Sequence, residues 1–284
     1  MKGIFISDLH GSIPRYDRLF QIIRKETPDA VFFGGDLLPL QPTMNTTMEE
    51  FIETTILCKI KKIHNDFGKK IRFFIIMGND DPRIYEHIFI TADKAGFLDY
   101  LQEKTLSYKK VYVTGYAYVP PTPFQLKDWE RYDVSQFVDV GAVSPETGKR
   151  TMDVSTDDIR YSTIAEDLEH LSKNSPVEKT IYLFHSPPYH SCLDRADLHG
   201  KKIDHAPVDV HVGSIAIQQF IQSQQPLLTL HGHVHESAEI TGWWKEKIGR
   251  TYSFTAAHNG PELSVVRFDT DHLENATREL IEVT

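Results

Sequence analysis

Apolar positions along this chain follow two alternating rhythms. Ile4 to Ser7 is a short apolar run that predicts a strand. From Arg15 to Glu26, Tyr16, Leu19, Phe20, Ile22 and Ile23 fall at helical spacing, and Pro28 blocks continuation. Ala30 to Phe33 predicts a second buried strand, Met48 to Phe67 a helix, and Arg72 to Met77 a third strand. Strands alternating with helices argue for parallel strands joined by crossovers. The rhythm then loosens. Val111 to Val119 is strand-like until Val119-Pro120-Pro121-Thr122-Pro123 breaks it, and the stretch from about 120 to 155 is polar and irregular. It reads as an insertion, a rim over the site, within one domain spanning 1–284. Thr156 to Leu171 predicts a helix with an N-cap at Ser155 or Thr156. Thr180 to Phe184 and Leu227 to Leu230 predict strands, with a helix from Ser214 to Gln222 between them. Arg250 to Ala256 and Glu262 to Phe268 are β-rich, and Asn259-Gly260 between them signals a hairpin. The expected fold is α/β, a mixed sheet or a pair of sheets with helices outside.

Composition narrows the partners. With 284 residues and 40% hydrophobic content, the chain can bury one large core. A formal net charge of −9 makes it a poor partner for a polyanion, so nucleic acid is disfavoured. Its two cysteines, Cys58 and Cys192, form neither a thiolate metal motif nor a disulfide framework. The start MKGIFISDLHG lacks the pattern of a signal peptide, and no run approaches the roughly 18 to 20 apolar residues of a membrane span. A cytoplasmic protein with no membrane partner is therefore expected; its oligomeric state is not legible.

The candidate chemistry sits where the apolar runs end. Asp8-Leu9-His10 follows the first strand, Gly34-Gly35-Asp36 the second, and Gly78-Asn79-Asp80-Asp81 the third. Phe184-His185-Ser186-Pro187 and Gly232-His233-Val234-His235 follow the next two. Two residues apart in extended chain, Asp8 and His10 would point to one side. Ligands of α/β sheets bind beyond the carboxyl ends of strands, so five strands would each deliver an oxygen or nitrogen donor to one edge. Eight of the 14 histidines lie between 185 and 235, which concentrates donor nitrogen in under a fifth of the chain.

The ordered series D-x-H, G-D, G-N, H and G-H-x-H, from Asp8 to His235, resembles the calcineurin-like metallophosphoesterases. The resemblance implies a four-layer αββα sandwich, two mixed sheets face to face with helices outside. It implies that Asp8, His10 and His235 hold one metal, that Asn79, His185 and His233 hold a second, and that Asp36 bridges them. The implied activity is hydrolysis of a small phosphate ester by a metal-bridging hydroxide. Mixed nitrogen and oxygen donors suit Mn, Fe, Zn, Co or Ni.

One position departs from the family pattern. Many members carry a histidine after Gly-Asn that protonates the leaving group, and here that position is Asp80. A carboxylate beside two cations should be ionised and a poor donor. His211 is the substitute candidate, and Arg195 is a candidate phosphate partner. The missing histidine favours a phosphodiester substrate. A phosphomonoesterase or nucleotidase, or a metal-binding scaffold without activity, are the alternatives. His231 is expected to be a strand residue or a partner of a ligand. Tyr118, Trp129, Trp243 and Trp244 are expected to pack rather than to line a substrate pocket.

Overall fold

A computed structural model describes residues 1–41 and 46–283. In chain order its strands are β1 (Lys2–Ile6), β2 (Ala30–Gly34), β3 (Arg72–Ile76), β4 (Asp99–Tyr100), β5 (Lys104–Tyr108), β6 (Val111–Tyr116) and β7 (Thr180–Phe184). There follow β8 (Lys202–Ile203), β9 (Ala206–Pro207), β10 (Leu228–His231), β11 (Lys245–Ile248), β12 (Thr251–Thr255), β13 (Leu263–Asp269) and β14 (Thr277–Ile281). One six-stranded sheet has the order β14-β13-β1-β2-β3-β4 and the other β11-β12-β10-β7-β6-β5. Both are mixed. In the first, β1 to β4 are parallel and β13 runs antiparallel to β1. In the second, β6, β7, β10 and β12 are parallel, with β5 and β11 antiparallel at the edges. The sheets pack face to face, β2 against β7 and β3 against β6. Helices flank them, giving the four layers expected.

Chain pattern explains the layers. Strands β2 and β7 are buried along their whole length, which is why they read as near-continuous apolar runs, whereas the equally buried β10 alternates and bonds its Thr229 and His231 side chains internally. The helix Ile13–Glu26 buries Tyr16, Leu19, Phe20, Ile22 and Ile23 on one stripe. The helix Ile215–Gln224 sets Phe220 edge-on against Tyr182 and Phe184 of β7.

Several expectations need correction. The predicted helix from 156 to 171 is two helices, Thr156–Tyr161 and Ile164–Leu171. Ser162 is extended, and Thr163 starts the second helix by accepting the Glu166 N–H, as Ser155 caps the first through Asp158. The hairpin expected at Asn259-Gly260 does not form. Strand β12 pairs with β10 and β11, whereas β13 pairs with β1 and β14 in the other sheet. A turn signal reports only local backbone preference. Pairing went instead to the open side of β1, where Phe5 opposes Val266. Residues 256–262 thus cross from one sheet to the other.

The irregular stretch 120–155, for which rim serves as a label only, is ordered by polar contacts. Lys127 and Glu130 form a fully buried ion pair, and Lys127 also donates to the Thr122 carbonyl at 2.8 Å. Trp129 Nε1 donates to the Asp81 carbonyl at 2.8 Å, and Asp128 accepts from the Arg83 and Thr151 amides, each at 2.8 Å. Asp133 caps the helix Ile215–Gln224, accepting from Ser214 Oγ and from the amides of Ile215 at 2.6 Å and Ala216 at 3.2 Å.

Candidate metal centre

Five parallel strands, β1, β2, β3, β7 and β10, each stop just before candidate ligands. The first sheet supplies Asp8 after β1, Asp36 after β2 and Asn79 after β3, and the second supplies His185 after β7 with His233 and His235 after β10. The donors therefore come from the facing ends of two sheets rather than from one edge. Asp8 and His10 do not converge by strand alternation either. Asp8, His10, Asp36 and His233 have φ of 57°, 43°, 52° and 73°, in the left-handed region that non-glycine residues rarely enter. Each such residue costs on the order of 1 kcal/mol. Hydrogen bonds between the two loops hold the bends: Asp8 N to Gly35 O at 2.9 Å, His10 N to Asp36 O at 2.9 Å, and Gly11 N to Leu37 O at 3.0 Å. Gly35 has φ +93°, and a Cβ there would stand 2.6 Å from His185 Nδ1; one on Gly78 would stand 2.3 Å from Asp36 Oδ1. Both glycines are room for ligands.

Asp81 is an organising residue that the sequence did not single out. Its fully buried carboxylate accepts the amides of Leu37 at 2.9 Å, Leu38 at 2.8 Å and Gly78 at 2.9 Å, which ties the Asp36 loop to the Asn79 loop. Burial, then the charge of Asp36, pushes this carboxyl up to about 7. An Asp two places after a candidate ligand is a common turn residue, so no local signal marked it.

The donors fall into two groups around Asp36. In the first, one ligand atom from each of Asp8, His10, Asp36 and His235 lies within 4.8 Å of the others. The Nε2 atoms of His10 and His235 are 3.1 Å apart, and His235 Nε2 is 3.3 Å from Asp8 Oδ1. In the second, His185 Nε2 lies 3.0 Å from Asn79 Oδ1 and 3.3 Å from Asp36 Oδ2, with the His233 ring 5.3 Å from that of His185. Asp36 Oδ2 is also 3.9 Å from His10 Nε2, so one oxygen faces both groups, while Oδ1 accepts the Asp80 amide at 2.9 Å.

These atoms fit a cation better than they fit one another. His185 Nδ1 is 2.7 Å from the Gly34 carbonyl, which can only accept, so Nδ1 carries the hydrogen. In the neutral ring Nε2 is then a lone pair aimed at two oxygens. Only a positive charge, a proton or a metal, reconciles the three. The acid–base balance says the same. Burial opposes charge on His185, yet the Asp36 carboxylate raises it to about 10. His235 is raised by Asp8 against burial, and Asp8 is held far below the carboxylate range, against burial, by His235. His233 is pushed down to about 3, by burial first and the charge of His185 second. Among the described residues, the buried atoms Asp8 Oδ2 and His10 Nδ1 find no hydrogen-bond partner. Unpaired buried acceptors and lone pairs with imidazole and carboxylate chemistry suit a divalent ion of the Mn to Zn series.

The remaining candidates lie beside this set. Asp80 accepts from Asn79 Nδ2 at 3.1 Å and stands 3.9 Å from His10 Nδ1. Burial and then Asp36 push its carboxyl up to about 6. His211 Nδ1 is 2.8 Å from Asp194 Oδ1, its ring stacks on His190 at 4.4 Å, and its Nε2 is 3.4 Å from Arg195 Nη1. Among the described residues, His211 and Arg195 contact each other and Asp194 rather than the ligand cluster. His231 is fully buried and bonds Ser186 O at 2.8 Å and Thr229 Oγ1 at 2.7 Å. Tyr118 and Trp129 are buried packing residues, whereas Trp243 is exposed.

A sequence model of the calcineurin-like phosphoesterases matches residues 1–237. The chain belongs to this family of phosphoric-ester hydrolases, which act with divalent metal ions on phosphate esters. Among solved structures, one aligns over 99% of both chains with TM-score 0.58 and 15% identity. A second, the protein TT1561 of Thermus thermophilus, aligns over 99% of both chains with TM-score 0.57 and 14% identity. Likeness at these identities shows the fold alone. No curated protein matches significantly. Among the described residues no helix is long and apolar enough to cross a membrane.

Proposed function

We propose that the chain is a two-metal phosphodiesterase acting on a small, singly charged phosphate diester, with residues 1–284 forming one catalytic unit rimmed by about 120–155. The observation that carries this reading is Asp36 Oδ2, placed between His10 of one donor group and His185 of the other. Asp8, His10 and His235 would hold one cation, Asn79, His185 and His233 the second, and Asp36 both. When bound, such a pair neutralises phosphate oxygens and lowers the pKa of water.

The protein's own residues then set substrate charge and proton traffic. With Asp80 where many members carry a histidine, the site holds one more negative charge, which favours a diester monoanion over a monoester dianion. A histidine in place of Asp80 would leave more positive charge. Asp194 orients His211 by taking its Nδ1–H, which leaves Nε2 for proton exchange with a leaving group. Arg195, adjacent to His211 Nε2, offers planar donors to phosphate.

The test compares bis-p-nitrophenyl phosphate with p-nitrophenyl phosphate, using metal-stripped protein with and without Mn²⁺. Diester cleavage should require Mn²⁺, exceed monoester cleavage, and vanish in Asp36→Asn. Faster monoester cleavage would replace the diesterase reading with a phosphatase.

A further inference from the structure

The crossover that joins the two sheets runs past the metal edge, outside the residues matched by the family model. Its carbonyls are captured by two arginines, neither of which uses a carboxylate there. Arg278 donates to Ala257 O at 2.6 Å and to Ser264 Oγ at 2.8 Å. Arg15, in the first turn of the helix Ile13–Glu26, donates through Nη2 to Gly260 O and through Nε to Pro261 O at 3.3 Å. Its Nη1 donates to the carbonyl of Asp8 at 3.1 Å. Glu262, the nearby acid, is engaged by His258 at 2.8 Å. At its other end the crossover is bonded to the second sheet, Ala256 N to His231 O at 3.2 Å, two residues before His233.

We propose that Arg15 is a positioning residue of the metal centre. Its planar fork joins the Asp8 loop of one sheet to the crossover, and the crossover fixes that loop against the His233 loop of the other sheet. Asp8 is a left-handed residue whose carboxylate also accepts the His233 amide at 3.0 Å. A small rotation of its peptide would therefore move donors of both groups. A guanidinium reaches three carbonyls from three separate nitrogens held in one plane, whereas an ammonium gathers its three donors on a single atom. The inference rests on the two-metal reading above.

The experiment is calorimetric titration of Mn²⁺ into metal-stripped full-length protein, with a thermal melt of each variant. Arg15→Ala should weaken Mn²⁺ binding about 10- to 100-fold, the usual effect of removing a group that orients a ligand. Arg15→Lys keeps the charge and should recover only a minor part. Arg267→Ala serves as the control, since Arg267 pairs with Glu26 and Glu279. It should lower the melting temperature without changing Mn²⁺ affinity. If Arg15→Ala binds Mn²⁺ as the wild type does, or if Arg267→Ala loses as much affinity for the same loss of melting temperature, Arg15 is structural only and the proposal falls. A wild-type protein that binds no Mn²⁺, Zn²⁺, Co²⁺ or Ni²⁺ would instead remove the metal centre, and Arg15's role with it.

Discussion

The rim and the metal edge are both irregular and rich in charge, yet they treat buried polar atoms in opposite ways. In the rim, Lys127 meets Glu130, Asp128 meets the Arg83 and Thr151 amides, and Asp133 meets three donors at a helix start. At the metal edge, Asp8 Oδ2 and His10 Nδ1 lack partners among the described residues, and His185 Nε2 faces two oxygens. Four of the seven candidate ligands there also sit in left-handed backbone. The rim uses its polar groups to hold shape. The edge holds its groups in readiness for charge, at a cost to stability that bound cations would offset.

The sharpest way to break this contrast is Asp36→Asn. It should abolish Mn²⁺-dependent hydrolysis and lower the melting temperature of the metal-stripped protein, because it removes the carboxylate that holds the buried His185 ring charged. Mn²⁺-dependent hydrolysis that survives the substitution would mean that Asp36 is not shared between two cations.

Next in size is Glu130→Ala, which strands the fully buried Lys127. Denaturant unfolding should show a loss of about 3 to 5 kcal/mol. Mn²⁺ affinity should change little, and a parallel fall in affinity would show that rim and edge are not separable.

Acid offers a finer probe. His231 is buried neutral with its pKa pushed down to about 4 from 6.5, chiefly by burial. An unfolded chain takes up that proton first as pH falls. The stability His231 contributes is therefore intact above about 6.5 and lost progressively toward 4, on the order of 3 kcal/mol. Thermal melts at pH 7 and pH 4.5 should show a smaller acid loss in His231→Asn than in the wild type.

The smallest expected effect is His211→Ala. Hydrolysis of alkyl esters, whose leaving groups need a proton, should fall about 100-fold, the low end for a proton donor. Cleavage of p-nitrophenyl esters should hold. Equal rates on both substrates would remove His211 from the chemistry and return attention to Asp80.

Much of the fold could be read from the chain because its central strands are covered on both faces. Ala30–Gly34, Arg72–Ile76 and Thr180–Phe184 are apolar along nearly their whole length, and each run is followed by a polar donor. Elements with weak or partly exposed patterns were missed: β4 has two residues, and β5, β11 and β14 are edge strands that keep much of their surface in water. Trp129 illustrates the opposite problem, a buried residue in a stretch that looks like loop. Its indole is placed by a carbonyl 48 residues away, which no periodicity can report.

What the sequence determined by itself was the order of buried strands and the donor that follows each, since both are local properties of side-chain type and spacing. Only the tertiary structure decided that those donors meet from two sheets, that β12 and β13 part company, and that Asp81 and Arg15 tie the loops together. Sheet pairing and hydrogen bonds to distant carbonyls depend on which surfaces remain open once the core has packed. That choice is made by burial of the whole chain and leaves no mark in any short stretch of it.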